Sequence, residues 1–227
     1  MKSDMRYPGL SCQPDDGGNT GVLLKPVKRF LRLQFGRPAG LWGRLAGMMM
    51  ARTPSNLERI LWTLSLLDLK PDDRVLEVGF GPGIAIKFLA DRIPGGAIAG
   101  LDHSEVMAQQ ASKRNARAIQ EGRVTLHVGD VSSPPVFDEP FDKIFTINSI
   151  HFWDKPVECL SKLCELMNPG GVIAVTLQPR SRGATDDTTI VIGKEVAANL
   201  IAAGFSQCRL EIRHTNPVAI ACAIGIK

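Results

Sequence analysis

The chain has 227 residues, 44% of them hydrophobic and 22% charged, which is the material of one well-buried globular domain. Its net charge is +4, and much of the basic excess sits early, at Lys25, Lys28, Arg29, Arg32, Arg37, Arg44 and Arg52, so it marks a segment and excludes a basic surface spread over the whole body. Five scattered cysteines, Cys12, Cys159, Cys164, Cys208 and Cys222, lack a C-x-x-C pair and a histidine at ligand spacing, which argues against a disulfide framework or a metal site and for packing thiols.

Residues 1–21 hold Pro8, Gly9, Pro14, Asp15, Asp16, Gly17, Gly18 and Asn19, a composition that buries too little apolar surface to offset ordering entropy, so a flexible tail is expected. The N-terminal stretch lacks the apolar run of a secretory signal or membrane span, and a cytoplasmic location is expected. Residues 22–68 follow as a helical lid segment of two or three helices: Val27, Phe30, Leu31 and Leu33, then Leu57, Ile60, Leu61, Leu64 and Leu67, fall at helical spacing. Its basic stretch, 25–37, reads first as a solvated helix face, with contact to an anionic membrane or a lipid-like substrate as the alternative and RNA contact as a third reading.

From residue 69 to 227 short β-type runs alternate with helical ones. Strands are predicted at 74–78, 97–102, 124–129, 142–148 and 171–176, with helices at 84–91, 104–121 and 155–166 between them, a pattern that implies parallel strands with helices on both faces of the sheet. The end differs. A helix at 194–203 precedes strands at 208–213 and 218–226 joined by a short turn at Asn216 and Pro217, which demands an antiparallel hairpin. The expected fold is α/β, a Rossmann-like seven-stranded mixed sheet with an antiparallel C-terminal strand.

The most informative stretch runs from the first strand into Glu77, Gly79, Phe80, Gly81 and Gly83. A glycine turn at the carboxyl end of a parallel strand lets the backbone approach a cofactor closely, and the free N–H groups of the next helix favour an anionic group. A dinucleotide fingerprint, G-x-G-x-x-G, requires a third glycine where Ile84 or Ile86 stands, so the spacing argues against an NAD-type oxidoreductase. Asp102 closes the second strand, where a carboxylate can accept both hydroxyls of a ribose. The alternative is a helix-start acid ahead of Ser104. Gly129 and Asp130 close the third strand, and read alone the pair is either a turn or a nucleoside contact.

These residues have companions in order: Asp142-Lys143-Ile144-Phe145, then Asn148-Ser149-Ile150-His151, a helix, and Asn168-Pro169-Gly170-Gly171 before the fifth strand. Over about residues 70–180 the chain resembles the class I S-adenosylmethionine-dependent methyltransferases, in particular the methyltransferase type 11 branch that includes ubiquinone and menaquinone C-methyltransferases. The resemblance implies S-adenosylmethionine as cofactor, with Glu77, Gly79, Phe80, Gly81 and Gly83 near its methionine part. It implies Asp102 and His103 at the ribose and adenine edge, Asp130 and Val131 at adenine, and Asn148 near the sulfonium.

Methyl transfer from a sulfonium needs alignment and desolvation, and a base only where the acceptor must lose a proton. His151 is the best-placed catalytic residue for that, with a structural role as the alternative. The chain lacks the [D/N]-P-P-[Y/F] run of base-amino methyltransferases and the Asp-Asn pair of metal-dependent catechol-type enzymes, so no metal is expected. The acceptor is expected to be a small or medium organic molecule rather than nucleic acid. Trp42, Met48, Met49, Met50 and Trp62 are candidate pocket lining, with Trp62 placed first in the core, and Arg52 is a candidate for the cofactor carboxylate or, more simply, a solvated surface residue. The rivals are an NAD-type oxidoreductase and a non-catalytic cofactor-binding or RNA-associated protein.

Overall fold

The computed structural model describes Met5–Arg6 and residues 54–227. Most of the tail, the basic stretch, Cys12, Trp42, Met48, Met49, Met50 and Arg52 lie outside the described residues. Seven strands form the main sheet: β1 (Arg74–Val78), β2 (Ala97–Asp102), β3 (Val124–Val128), β4 (Phe141–Ile147), β5 (Met167–Leu177), β6 (Ser206–Arg213) and β7 (Ile220–Ile226). Their order is β6-β7-β5-β4-β1-β2-β3, parallel except for β7, which runs antiparallel to both β5 and β6. Met5–Arg6 adds two residues antiparallel to the outer edge of β6, Met5 opposite Ile212 and Arg6 opposite Glu211.

The helices are α1 (Pro54–Ser65), α2 (Ile84–Arg92), α3 (Glu105–Arg114), α4 (Ala116–Gln120), α5 (Pro156–Glu165) and α6 (Asp186–Ala202). Strand residues alternate between two cores, as a period of two requires. Leu76, Val78, Ile144 and Ala221 join Leu160, Leu163, Val196 and Leu200 of α5 and α6 on one face. On the other, Val75, Phe145, Cys222 and Ile224 join Trp62 of α1, Ile86 and Leu89 of α2, Ala111 of α3 and Ala118 of α4. Trp62 is therefore core, 6% exposed. Each fully buried Leu or Ile contributes about 1.5–3 kcal/mol, so the two faces together define the order of layers.

Three elements differ from the sequence reading. The helix expected over 104–121 breaks at Asn115, whose side-chain amide donates to the carbonyls of Ala111 at 2.9 Å and Gly83 at 3.0 Å and so ties the break to the glycine turn. β5 begins at Met167, before the Asn168-Pro169-Gly170-Gly171 run, and absorbs that turn-like composition through a register shift against β4 between Phe141 and Lys143. α6 begins eight residues before the expected 194, because Thr185 and Thr188 cap it reciprocally and Asp186 and Asp187 fill its first turn.

Among the described residues no helix is long and apolar enough to cross a membrane, and no group of three or more metal-ligating side chains occurs. The described cysteines are free thiols: Cys159 and Cys222 are buried, and burial pushes the Cys222 thiol up to about 12, so it packs as an inert apolar group.

Candidate functional site

The strand order reverses at β1, which pairs with β2 on one side and β4 on the other, and ligands of such sheets sit beyond the carboxyl ends of the strands at this point. There the chain turns through Gly79, Gly81 and Gly83, with φ of +77°, +51° and +74°, a conformation that a side chain strains. The three glycines serve different neighbours. A Cβ on Gly79 would lie 2.7 Å from the Cβ of Ser149, and one on Gly83 would lie 2.6 Å from the Cβ of Ala111 and 2.7 Å from Asn115 Nδ2. A Cβ on Gly81 meets nothing within 4 Å. Gly79 and Gly83 are required by protein packing, whereas Gly81 borders open space.

Phe80 points inward, 3% exposed, and packs beside Gly100, where an added Cβ would be 2.7 Å from its ring. It supports the turn from below. Asp102, 7% exposed, accepts from the Gly81 N–H at 2.8 Å and the Ser104 N–H at 2.9 Å. The acid thus braces the glycine turn and the start of α3 together, and an ionised carboxylate with two such bonds retains lone pairs for further donors. His103, half-exposed, has Nδ1 3.6 Å from Asp102 Oδ1.

Glu77 lies beneath the turn, 4% exposed, with Oε2 buried and unpartnered. Burial, then repulsion from Asp102, holds its pKa well above 4.5, against a bond from the Ile86 backbone. A buried carboxylate lacking a cation beside an open glycine cradle fits the ammonium end of an amino-acid-bearing ligand, so Glu77, Gly81 and Asp102 together suit S-adenosylmethionine. Asp130 forms a turn, accepting from the Ser132 N–H at 2.7 Å, which holds its carboxyl below the usual range, and Val131 packs into the core.

Beyond β4, Asn148 takes φ +55°, and its side-chain oxygen accepts from the Gln178 N–H at 2.8 Å while its own N–H donates to Thr176 O at 2.8 Å. The side chain locks the ends of β4 and β5 together. His151 sits in the 3-10 turn Ile150–Phe152, tilted against Phe152 and exposed at the surface of that turn. Protein crowding its ring, then the charge of Arg180, lowers its pKa to about 4, so the imidazole is neutral near pH 7 and a weaker base than a free imidazole.

Sequence reasoning missed four supporting residues. Asn115 and Ser149 give no local signal, because each acts across the fold on a glycine. Arg59 and Gln178, hydrogen-bonded to each other, lie 119 positions apart, so nothing local pairs them.

A family model described as a methyltransferase domain matches residues 75–171. The uncharacterized methyltransferase YdaC of Bacillus subtilis is 29% identical over 183 residues, covering 81% of this chain and 98% of that protein. Trans-aconitate 2-methyltransferase of Pseudomonas paraeruginosa is 28% identical, but the match covers 63% of this chain and 49% of that longer enzyme. Among solved structures, a SAM dependent methyltransferase from Aquifex aeolicus aligns with a TM-score of 0.65 at 20% identity, over 81% of this chain and 97% of that one. Strand order, glycine turn and antiparallel last strand are those of the class I methyltransferase fold. The methyltransferase-domain match, the relatives and the fold support a class I methyltransferase, the class whose methyl donor is S-adenosylmethionine.

Proposed function

We propose that this enzyme moves the sulfonium methyl of S-adenosylmethionine to a small organic acceptor by direct displacement, with the donor held over Gly81 and the acceptor at the ends of β4 and β5. The observation that carries this reading is the buried Glu77 carboxyl, its Oε2 without a partner, beneath a glycine turn whose middle residue borders open space. The donor supplies an already activated methyl group, so the chain's own work is alignment and exclusion of water. Glu77 would take the methionine ammonium, Asp102 the ribose hydroxyls through its remaining lone pairs, and the turn at Asp130 the adenine edge. His103 is exposed enough to border the ribose.

Asn148 contributes by position, since its side chain is spent on Gln178. His151, three residues on, is the proton acceptor where the nucleophile carries a proton. A small-molecule acceptor agrees with the relative named for trans-aconitate, and the 25–37 stretch keeps a lipid-like acceptor as the variant of this reading.

Titration of the purified chain with S-adenosylhomocysteine and with NADH tests the donor. Binding of the first alone is expected, and preference for NADH ends the reading. Asp102→Ala should weaken S-adenosylhomocysteine by about 10- to 100-fold, the worth of one or two bonds to a charged group. An unchanged affinity removes Asp102 from the site. His151→Ala should lower kcat about 10²-fold with S-adenosylmethionine affinity retained. Equal turnover takes His151 out of the mechanism.

A further inference from the structure

The ends of β4 and β5 carry more positive charge than the donor site uses. Arg59 of α1 is 1% exposed, and its guanidinium donates from Nη1 to Gln178 Oε1 and from Nη2 to Asn56 Oδ1 at 3.1 Å, two uncharged partners. Its Nε is buried without any partner. A buried guanidinium ordinarily faces a carboxylate, because an uncompensated charge in a low dielectric is costly. The acid that acts on Arg59, Glu58, is already bonded to Arg213 Nε at 3.2 Å and to the Thr215 hydroxyl at 2.9 Å.

Arg180 brings a second guanidinium to the same corner, two residues past Gln178. Its charge reaches both Arg59 and His151, lowering the proton affinity of each. Among the described residues it makes no hydrogen bond or ion pair; its surface is open to solvent, and the protein flanking its guanidinium lowers its own proton affinity as well. Gln178 ties these groups to the reacting end of the crevice. Its backbone N–H holds Asn148 Oδ1 at 2.8 Å and its side-chain amide holds Val218 O at 2.7 Å, so α1, the turn of Asn148 and His151, and the end of β5 share one frame.

We infer that the acceptor carries an anionic group, a carboxylate or a phosphate, which Arg180 binds directly at the end of β5 while the buried guanidinium of Arg59 keeps that corner positive. This rests on the methyl-transfer reading above and names the class of its acceptor. Arginine suits the task because its planar fork meets either anion with two parallel hydrogen bonds. An anion bound there supplies the negative charge the corner lacks and sets the rest of the acceptor between His151 and the donor side of the crevice. Arg59 is a positioning residue and Arg180 the contact.

The test uses the full chain saturated with S-adenosylhomocysteine, titrated calorimetrically with inorganic phosphate, acetate and neutral acetamide. Phosphate or acetate should bind and acetamide should not, and which of the two binds more tightly tells phosphate from carboxylate. Arg180→Gln should weaken the bound anion by about tenfold or more, with Arg180→Lys recovering part of the loss and S-adenosylhomocysteine affinity unchanged. Arg180 is exposed, so the variant is expected to fold. Anion binding that is absent, or equal in wild type and Arg180→Gln, overturns the inference. If Arg180→Gln weakens S-adenosylhomocysteine instead, the corner serves the donor's own carboxylate and the inference falls. A chain that never takes S-adenosylhomocysteine is a different result: it overturns the methyl-transfer reading and this inference with it.

Discussion

Glu77 shows how one side chain can trade stability for binding. Its carboxyl is buried, repelled by Asp102 and lacks a partner on Oε2, so ionisation is disfavoured in the folded state and easy in the unfolded one. Its pKa is raised on folding, so the stability linked to it is fully present below the ordinary value of 4.5 and is lost as pH climbs toward the folded value. Glu77→Gln removes that linkage. The ligand-free variant should melt higher than wild type, by a margin that widens from pH 5 to pH 8, while its affinity for S-adenosylhomocysteine falls about tenfold for want of a charge on the methionine ammonium. Thermal melts at three pH values with and without the ligand decide it; a margin that stays constant with pH would show that Glu77 is not held neutral. His151 behaves in the opposite sense. Its folded pKa of about 4 lies below the ordinary 6.5, so the neutral form is retained through neutral pH and the linked stability declines as pH falls through that interval.

The glycine turn works as one element in which three residues of one kind carry two kinds of constraint. Gly83→Ala forces a Cβ to within 2.6 Å of Ala111 and 2.7 Å of Asn115 at φ +74°, combining left-handed strain with overpacking against α3, and should cost about 2–5 kcal/mol of unfolding free energy. Gly81→Ala meets no protein atom within 4 Å, so it should cost only the about 1–2 kcal/mol of strain yet weaken S-adenosylhomocysteine at least tenfold. Urea midpoints at equal m-value and ligand titrations measure both. If the two variants lose stability equally and bind equally, the open space over Gly81 is not the donor site. The spacing of these glycines, the strands 74–78 and 97–102 and the acid Asp102 were legible in sequence, because each depends on neighbours close along the chain. What sequence could not give were contacts made across the fold. Asn115 breaking a helix to reach Gly83, Ser149 standing against Gly79, Gln178 receiving Arg59 and the side chain of Asn148 committed to a backbone N–H all depend on residues roughly 30 to 120 positions apart. The early start of α6 was missed for a local reason, since a Thr-Thr cap imitates the usual Ser/Thr and Glu/Gln pair without its acid.

At the scale of the molecule, both cores and both halves of the site depend on the last strand. β7 inserts between β5 and β6, and its residues serve the two faces in turn: Ala221 and Ala223, with Ala219 just ahead of the strand, belong to one core, and Ile220, Cys222 and Ile224 to the other. Its fit is close, since a Cβ on Gly193 of α6 would lie 2.9 Å from that of Ala221. The same strand fixes the acceptor end, because Leu177, directly before Gln178, pairs with Ala221, and Val218 just ahead of the strand holds the Gln178 amide. Deleting residues 219–227 would strip the ladders from β5 and β6 together and open both apolar faces, a loss on the order of the 5–15 kcal/mol that a domain of this size has in total. The truncated chain is therefore expected to show no cooperative thermal transition and to bind neither S-adenosylhomocysteine nor anions. Ile224→Ala, which only opens a cavity at a fully buried position, should cost about 2–5 kcal/mol and leave the ligand-bound state folded. A truncated chain that still melts cooperatively would mean that the five parallel strands and their helices stand alone, and that the hairpin shapes the acceptor end without holding the domain together.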